Sequence, residues 1–243
     1  MANLPQLVEE IFVHAPDVEI LVVDDNSPDG TGRWCAARSA EDARVHCLHR
    51  SKKLGLGTAT FAGMYYALEH GFAYIITMDA DFSHPPRYLP ALRAGMRAAA
   101  DRDTPDVMIG SRYIGGGGIQ GWPAHRRVMS WLLNVATRLL LGLPVRDCSG
   151  AYRCYRAEVL KELDFNAFYS TGYSYLEEML LRLREQNARF QETPIVFVDR
   201  ERGSTKISWR EVFATGWVLA RLTLRHLRRL GLRADQRPDT VIR

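Results

Sequence analysis

Short apolar runs alternate with helical repeats along the chain, an order typical of α/β proteins. Apolar runs that predict buried strands occupy residues 20–23, 45–48, 73–76, 106–110 and 195–200. Apolar residues at helical spacing predict helices over 4–12, 124–141, 172–181 and 209–230, and Pro85 and Pro86 open a further one. The pattern therefore predicts a mainly parallel sheet flanked by helices.

The first predicted element is a helix, not a strand. Residues 4–12 carry apolar side chains at helical spacing, with Pro5 near the first turn. A parallel sheet is built from strand, helix, strand units, so a helix packed on the sheet ahead of 20–23 predicts a further strand upstream of Met1. A helix that only caps the domain is the alternative.

Composition favours one large domain. The chain has 243 residues, of which 47% are hydrophobic and 25% charged, enough to bury a full core. Without a Cys-x-x-Cys pair or a signal segment, the four cysteines favour a reducing cytosol; they are Cys35, Cys47, Cys148 and Cys154. The net charge is +4, and the arginines that crowd the C-terminal end favour an anionic partner.

Two acidic residues follow the strand predicted at 73–76. Asp79 and Asp81 lie at its carboxyl end, the edge where ligands bind in open parallel sheets. In extended backbone, residues two apart point the same way, so both carboxylates can bind one divalent cation that also accepts phosphate oxygens. Taken alone, Asp-x-Asp is equally typical of a solvated loop with helix-capping aspartates.

Two other loops reach the same edge. Asp25 lies in an acidic turn after 20–23, where a carboxylate can accept hydrogen bonds from a nucleobase or ribose, or only form the turn. Gly55 and Gly57 precede a helix and allow backbone amides to approach a phosphate. Their spacing matches neither the Walker A pattern nor the dinucleotide fingerprint.

The second half of the chain supplies cations. Arg112 follows the strand at 106–110, and Arg126 and Ser130 lie one helical turn apart, so together they can hold an anion such as a phosphate. Taken singly, each arginine is typical of a solvated surface. The glycines at 115–118 predict a mobile loop that closes over a substrate, or a plain linker.

The surroundings of two predicted helices, 172–181 and 209–230, need an explanation. Glu178 lies among apolar residues and needs a buried partner. The last predicted helix, 209–230, mixes apolar residues with arginine and histidine. No uninterrupted apolar run reaches the roughly 18 to 20 residues that span a bilayer. This helix can lie at a membrane surface with its basic face toward anionic lipid, or pack against the domain.

Several motifs in one order resemble a known family. They are Val-Val-Asp-Asp-Asn-Ser-Pro-Asp-Gly-Thr at 22–31, Gly-Leu-Gly-Thr-Ala at 55–59, Met-Asp-Ala-Asp-Phe-Ser-His-Pro-Pro at 78–86 and Gly-Ser-Arg-Tyr at 110–113. Trp122, Asp147, Arg153 and the run Phe-Val-Asp-Arg at 197–200 continue the order. From about Asn3 to Ser208 the chain resembles the dolichol- or polyprenol-phosphate mannose synthases, which are inverting glycosyltransferases of family 2 with a GT-A-type, Rossmann-like fold.

The resemblance implies roles for individual residues. Asp79 and Asp81, with Ser83 where some relatives have Gln, would hold Mg²⁺ or Mn²⁺ against the diphosphate of GDP-mannose. The implied donor-binding residues are Asp25, Gly57, Asp79, Asp81, Arg200 and Lys206. The implied acceptor phosphate-binding residues are Arg112, Arg126 and Ser130, and Asp79, Asp81 and Arg112 would be catalytic.

The resemblance also implies a reaction, a location, binding partners and domain bounds. Mannose would be transferred to a polyprenyl (dolichyl-type) monophosphate. The enzyme would be peripheral at the cytoplasmic face of a membrane, bound to the lipid surface or to a membrane-anchoring protein. No nucleic-acid partner is implied. The catalytic domain would span 1–208, and 209–243 would form a basic amphipathic helix and tail. Another donor such as UDP-glucose, or an impaired nucleotide-binding relative, is the alternative.

One departure from the family concerns the beginning of the chain. Family members usually start with a strand ending in Pro-x-Tyr-Asn-Glu before Asn-Leu-Pro, whereas this sequence opens near Asn3-Leu4-Pro5. That strand is expected inside the sheet beside 20–23, so two apolar strand edges would be exposed without it. We expect low stability or weak activity for the chain as written, and an upstream reading frame that encodes the strand.

Overall fold

Helices and strands alternate through the residues that the computed structural model describes, which are 3–97, 104–199 and 216–228. The helices are α1 Leu4–His14, α2 Thr31–Glu41, α3 Leu56–Glu69, α4 Leu89–Arg97, α5 Ala124–Leu141, α6 Ala157–Lys161, α7 Tyr175–Glu185 and α8 216–228. The strands are β1 Ile20–Asp24, β2 Val45–His49, β3 Tyr74–Thr77, β4 Val107–Ser111, β5 Gly118–Gln120, β6 Arg153–Arg156, β7 Phe190–Pro194 and β8 Val196–Val198. Short 3₁₀ turns occupy Pro86–Tyr88 and Phe165–Ala167.

The strands form a mixed sheet and two parallel pairs. The central sheet has the order β3-β6-β4-β7, and β1 pairs with β2 while β5 pairs with β8, both in parallel. β6 runs antiparallel to β3 and to β4, whereas β4 and β7 are parallel. The predicted α/β fold is confirmed, and β6 is the strand that departs from a parallel sheet.

The position of β6 aligns the two loops that carry the predicted site. Arg153 of β6 lies opposite Thr77 of β3 on one side and Ile109 of β4 on the other. Because β3 and β4 are both antiparallel to β6, they are parallel to each other and end at the same edge. The loops that follow them, which hold Asp79 and Arg112, therefore begin side by side.

Apolar clusters cover both faces of the central sheet. One contains Phe61 of α3, Leu141 of α5 and Met179 of α7, and the other contains Leu7 of α1 and Leu92 of α4. Val218 and Leu222 place one side of α8 in the first cluster. Within the described residues the tail helix thus packs against the domain, and no described helix has the length and apolarity that crossing a bilayer requires.

An open cleft separates β1 from β3. Each strand has one pairing partner among the described residues, β2 and β6 respectively, so each keeps an unpaired edge. Both edges line a cleft of about 670 Å³. Apolar side chains of α1, α3 and α4 close its sides, among them Leu7, Met64 and Met96. The two exposed apolar edges expected beside 20–23 are therefore present.

The cleft predicts that an added strand stabilises the protein. Joining an apolar extended segment ahead of Asn3, matched to the five residues of β1, should raise the melting temperature by about 5–10 °C. The segment would pair with both free edges and remove apolar surface from water. The measurement is thermal unfolding followed by circular dichroism, with a Gly-Ser segment of equal length as the control. Equal melting temperatures for the two proteins would contradict the prediction.

Glu178 of α7 has the buried partner that the sequence requires. Its carboxylate accepts hydrogen bonds from Arg182 Nε at 2.9 Å and Nη2 at 2.7 Å, and from the amides of Tyr169 and Ser170. The side chain has no exposed surface. A charge-assisted pair with two further amide donors compensates for the desolvation of the carboxylate.

The preceding residue, Glu177, is buried without such compensation. Its Oε2 is buried and has no hydrogen-bond partner. It borders a cavity of about 10 Å³, at the limit for one water, together with Thr137, Ser174 and Leu222. Burial raises the pKa of Glu177 from 4.5 to about 7, and Arg153 opposes the rise only in part. The sequence analysis singled out Glu178 and did not identify Glu177, because both are glutamates of one helix and the apolar pattern around them does not tell them apart.

This carboxyl group predicts a pH-dependent stability. The unfolded chain releases the Glu177 proton near pH 4.5, whereas the folded protein holds it to about pH 7, so the free energy of unfolding should fall as the pH rises between these values. The full effect is roughly 3 kcal/mol. Glu177→Gln should flatten that pH dependence in urea unfolding, whereas Glu69→Gln, at an exposed position, should leave it unchanged. Parallel curves for wild type and Glu177→Gln would refute the assignment.

Candidate functional site

The acidic loop after β3 turns back on itself. Phe82 has a φ of 64°, a left-handed conformation that is uncommon for an aromatic residue, and the Ser83 amide donates to Asp81 Oδ1 at 3.0 Å. The reversal brings His84 beneath the start of the loop, where the Asp79 amide donates to His84 Nδ1 at 3.0 Å. The Val198 amide of β8 donates to the Ser83 carbonyl at 3.2 Å, which ties the loop to that strand.

His84 is a buried, neutral histidine. Its ring stacks on Tyr152 with a centroid distance of 5.0 Å and meets Phe197 edge-on at 5.6 Å. Burial lowers the pKa of His84 more than the nearby Asp79 carboxylate raises it. Since Nδ1 accepts a hydrogen bond from the Asp79 amide, the proton of the neutral ring lies on Nε2. His84 therefore positions the acidic loop and is not charged.

Arg112, after β4, is fixed by a buried ion pair. Its Nε and Nη2 each donate to Asp147 at 2.7 Å, its own amide donates to the same carboxylate at 3.0 Å, and Nη2 also reaches Ser149 Oγ at 2.9 Å. Burial alone would raise the pKa of Asp147, but the charge and hydrogen bonds of Arg112 outweigh it and the pKa falls. The predicted phosphate ligand is thus largely committed to Asp147.

Arg126 and Ser130 of α5 stand next to this pair. The Arg126 guanidinium lies 3.9 Å from the centroid of the Trp122 ring and its Nη1 is 3.5 Å from Asp199 Oδ1, which also accepts the Trp122 Nε1 proton at 3.1 Å. Ser130 Oγ accepts the hydroxyl proton of Tyr113 at 2.7 Å. The predicted shared helix face is confirmed, since both side chains are partly buried on the inner side of α5.

An aromatic cluster of His84, Phe197 and Trp122 joins the acidic side of the site, which is the Asp79 loop, to its basic side, which is Arg112 and Arg126. Phe197 contacts His84 at 5.6 Å and Trp122 at 5.2 Å between centroids, and the Arg112 guanidinium lies 5.7 Å from the Phe197 ring. The Asp79 loop and the arginines therefore contact one shared aromatic cluster. Burial against rings strengthens their electrostatic effect on whatever binds between them.

The residues predicted to lie near the donor nucleotide, Asp25 and Gly57, have contacts of their own, apart from the aromatic cluster. Asp25 Oδ1 lies 3.2 Å from Arg50 Nη1, and Arg50 Nη2 donates to Thr58 Oγ1 at 2.8 Å. Gly57 donates its amide to the Thr171 carbonyl at 2.9 Å, and a Cβ there would approach Tyr175 Cβ to 3.0 Å. Gly57 is thus required for close packing, and its amide is already bonded. That amide is therefore not free for a phosphate in this structure, and the implied place of Gly57 near the donor stays a prediction.

Two other predictions concern the glycine segment at 115–118 and the donor-phosphate residues after β8. The four-glycine segment is no plain linker, because β5 begins at Gly118, whose amide donates to the Ile195 carbonyl at 2.9 Å. A Cβ at Gly117 would meet the Ser111 carbonyl at 2.5 Å, so only glycine fits. The donor-phosphate residues predicted after β8, Arg200 and Lys206, lie outside the described residues.

Sequence reasoning assigned no role to His84, Asp147 or Asp199. His84 acts on the Asp79 amide within its own loop, and its ring also contacts the distant Phe197. Asp147 and Asp199 act through partners that are distant in the chain, Arg112 and Trp122. Local spacing carries no information about such pairs. The one available signal was that Asp147 and Asp199 each lie near an arginine, which indicates charge without identifying its partner.

The acidic loop has the donors that a divalent cation needs. No group of three or more His, Cys, Asp or Glu side chains suited to a metal occurs in the described part of the chain. Asp79 and Asp81 nevertheless supply carboxylates, and the buried Ser83 Oγ has no hydrogen-bond partner. Mg²⁺ is commonly held by one or two carboxylates together with substrate phosphates. The loop therefore fits a cation shared with a bound diphosphate.

Comparisons with known proteins agree with this geometry. The family model described as Glycosyl transferase family 2 matches residues 2–164. The undecaprenyl-phosphate mannosyltransferase of Micrococcus luteus is 42% identical over 206 residues, covering 85% of this chain and 82% of that protein. The polyprenol monophosphomannose synthase of Mycolicibacterium smegmatis is 41% identical over 207 residues, covering 85% and 76%.

Solved structures share the fold. Glucosyl-3-phosphoglycerate synthase from Mycobacterium tuberculosis, in complex with Mn²⁺, uridine diphosphate and phosphoglyceric acid, superposes with a TM-score of 0.63 at 16% identity, covering 98% of this chain and 76% of that one. Its complex with Mg²⁺ and uridine diphosphate gives a TM-score of 0.61 at 15% identity, covering 92% and 75%. At this identity the likeness shows a GT-A-type architecture.

The hydrogen bond at His84 predicts a positioning role for that residue. His84→Ala removes the acceptor of the Asp79 amide, so binding of Mn²⁺ in the presence of a nucleoside diphosphate should weaken about tenfold or more in calorimetric titration. His84→Asn places an amide oxygen near the Nδ1 position and should recover most of the affinity. Circular dichroism checks that both variants fold. Equal affinities for the folded Ala variant and wild type would exclude the role.

Proposed function

Because the chain belongs to glycosyltransferase family 2, we propose that it transfers mannose from GDP-mannose to a polyprenyl monophosphate. The products are polyprenyl-phosphate mannose and GDP, with inversion at the anomeric carbon. The names of the two curated relatives support the sugar and the class of acceptor, since both refer to mannose and to a polyprenyl phosphate. We place the reaction at a membrane surface, because its acceptor is a lipid, and on the cytoplasmic side, which the four free cysteines favour.

One observation carries the proposal. The Asp79 loop contacts the aromatic cluster of His84, Phe197 and Trp122 through His84, whereas Arg112 and Arg126 contact it through Phe197 and Trp122. A sugar held against that cluster would have a site for its diphosphate on the acidic side and a site for a second phosphate on the basic side. Transfer from a nucleotide sugar to a phosphate needs this division of charge.

The acidic loop would serve the donor. Asp79, Asp81 and Ser83 would hold Mg²⁺ or Mn²⁺, which neutralises the charge that develops on the departing GDP. His84 keeps the loop in place through the Asp79 amide. Asp25 would orient the nucleoside from the neighbouring loop, where Arg50 fixes its carboxylate. Arg200 and Lys206 would add cations at the donor phosphates.

The basic side would serve the acceptor. An oxygen of the lipid phosphate attacks the anomeric carbon while the bond from that carbon to the GDP oxygen breaks. The phosphate is already ionised near neutral pH, so no strong base is needed, and the neutral His84 is not used as one. Arg126 and Ser130 would orient the phosphate, and Arg112 would stabilise it through a charge that Asp147 keeps in place.

The donor side is tested by removing one carboxylate. Asp81→Asn should lower kcat/KM for mannosyl transfer at least about 100-fold, because one charged ligand for the cation is lost. The assay uses radiolabelled GDP-mannose and detergent-dispersed polyprenyl phosphate, with Glu69→Gln as an exposed acidic control. UDP-glucose in place of GDP-mannose identifies the donor. Faster transfer from UDP-glucose, or full activity of Asp81→Asn, would overturn the proposal.

The acceptor side is tested with two adjacent arginines. Arg126→Ala should raise KM for the lipid phosphate about tenfold or more while changing KM for GDP-mannose little, because a charge-assisted contact to the acceptor is lost. Arg127→Ala is the matched control, since Arg127 is the next residue of α5 and is exposed. Equal acceptor KM values for the two variants in detergent would remove Arg126 from the acceptor site.

A further inference from the structure

Helix α5 has its polar side turned inward. The residues that it packs against the domain are buried or partly buried and follow one stripe: Arg126, Ser130, Asn134, Thr137 and Leu141. At 3.6 residues per turn these positions fall on one side of the helix. Asn134 is held there by hydrogen bonds to Ser149 Oγ and to the Cys148 amide. Helices on the surface of a domain normally bury an apolar stripe instead.

The opposite side of α5 is apolar and exposed. We call it the outer face, and it consists of Val128, Met129, Trp131, Leu132, Leu139 and Leu140. Leu139 is 70% exposed and Met129 61% exposed. Single exposed leucines are ordinary, but a contiguous set on one helix marks a surface that contacts something apolar. None of these side chains belongs to an apolar cluster formed by the described residues.

Positive charge borders the outer face. Arg127 and Arg138 are exposed beside Trp131, between the outer face and the inner stripe. Neither has an ion pair within the described ranges. A helix with an apolar face, a tryptophan and arginines at its border has the composition of helices that lie in the plane of a bilayer surface. The arginines suit anionic headgroups, which attract basic residues near a membrane.

We propose that the outer face of α5 docks on the surface of a lipid bilayer that contains anionic lipids. The inference rests on the proposed function, and it identifies how the enzyme reaches its acceptor. Arg126 and Ser130 lie on the opposite side of the same helix, about 10–12 Å across from the outer face, so a docked α5 brings them close to the headgroups. A lipid phosphate then enters the site while its hydrocarbon tail stays in the bilayer.

The tail helix α8 offers a second surface of the same kind. Val218 and Leu222 pack into the domain, while Trp217, Leu224 and Leu227 are exposed next to Arg221 and Arg228. Arg221 stacks on Tyr169 with its guanidinium 4.1 Å from the ring centroid. The proposal does not depend on α8, and variants of α5 alone test it.

The test is binding of the whole protein to vesicles without any sugar donor. Wild type should sediment with phosphatidylcholine vesicles that contain phosphatidylglycerol, and more weakly with phosphatidylcholine alone. The double variant Leu132→Gln with Leu139→Gln should bind about tenfold more weakly, because two apolar side chains no longer enter the interface. Val13→Gln removes an apolar side chain that is 76% exposed on α1, and it should bind as wild type does.

Failure of docking and failure of the proposed function are distinguishable. With detergent-dispersed acceptor the double variant should transfer mannose within about twofold of wild type, whereas with acceptor in vesicles its rate should fall about tenfold. Vesicle binding that is lost in the double variant supports docking even if no mannosyl transfer is detected. Equal vesicle binding by wild type and double variant would overturn docking. So would a lipid-free wild-type dimer that becomes monomeric in the double variant, because the outer face would then be a subunit interface.

Discussion

The buried pair of Arg112 and Asp147 is the interaction on which the site depends. It joins the end of β4 to the loop before β6, and through Ser149 and Asn134 it also fixes the inner side of α5. Two desolvated charges contribute little net stability, but removing one partner of such a pair costs roughly 3–5 kcal/mol. The pair therefore acts mainly as a constraint on geometry. It fixes the position of the Arg112 guanidinium beside α5.

The Asp79 loop is positioned by uncharged hydrogen bonds, which are weaker than the ion pair of Arg112 and Asp147. An amide hydrogen bond to His84 and a carbonyl bond to β8 keep the Asp79 loop in its reversed path, and the aromatic cluster separates it from the arginines. This contrast suits the two proposed tasks. A loop that binds a cation with a nucleotide must admit and release both, whereas arginines that align a lipid phosphate benefit from being rigid.

Two apolar surfaces of the described structure have no partner within it. The cleft between β1 and β3 presents free strand edges, which require an extended segment, and the outer face of α5 presents side chains, which require only an apolar medium. The physical difference lies in the backbone. Unpaired amides and carbonyls seek hydrogen bonds in a fixed register, while leucine and tryptophan side chains enter a bilayer surface without any register.

Local sequence determined the elements of this protein and the loops to which we assign its chemistry. The apolar period located β1 to β4, α1 and α5, and the motif spacing located Asp79, Asp81, Arg126 and Ser130, because such patterns depend on residues only a few positions apart. The tertiary structure alone decided that β6 runs antiparallel, that Arg112 is committed to Asp147, that Glu177 Oε2 is buried without a hydrogen-bond partner and that α5 turns its leucines outward. Each of these depends on which distant segment becomes a neighbour, and neither hydrophobic period nor charge identifies that segment.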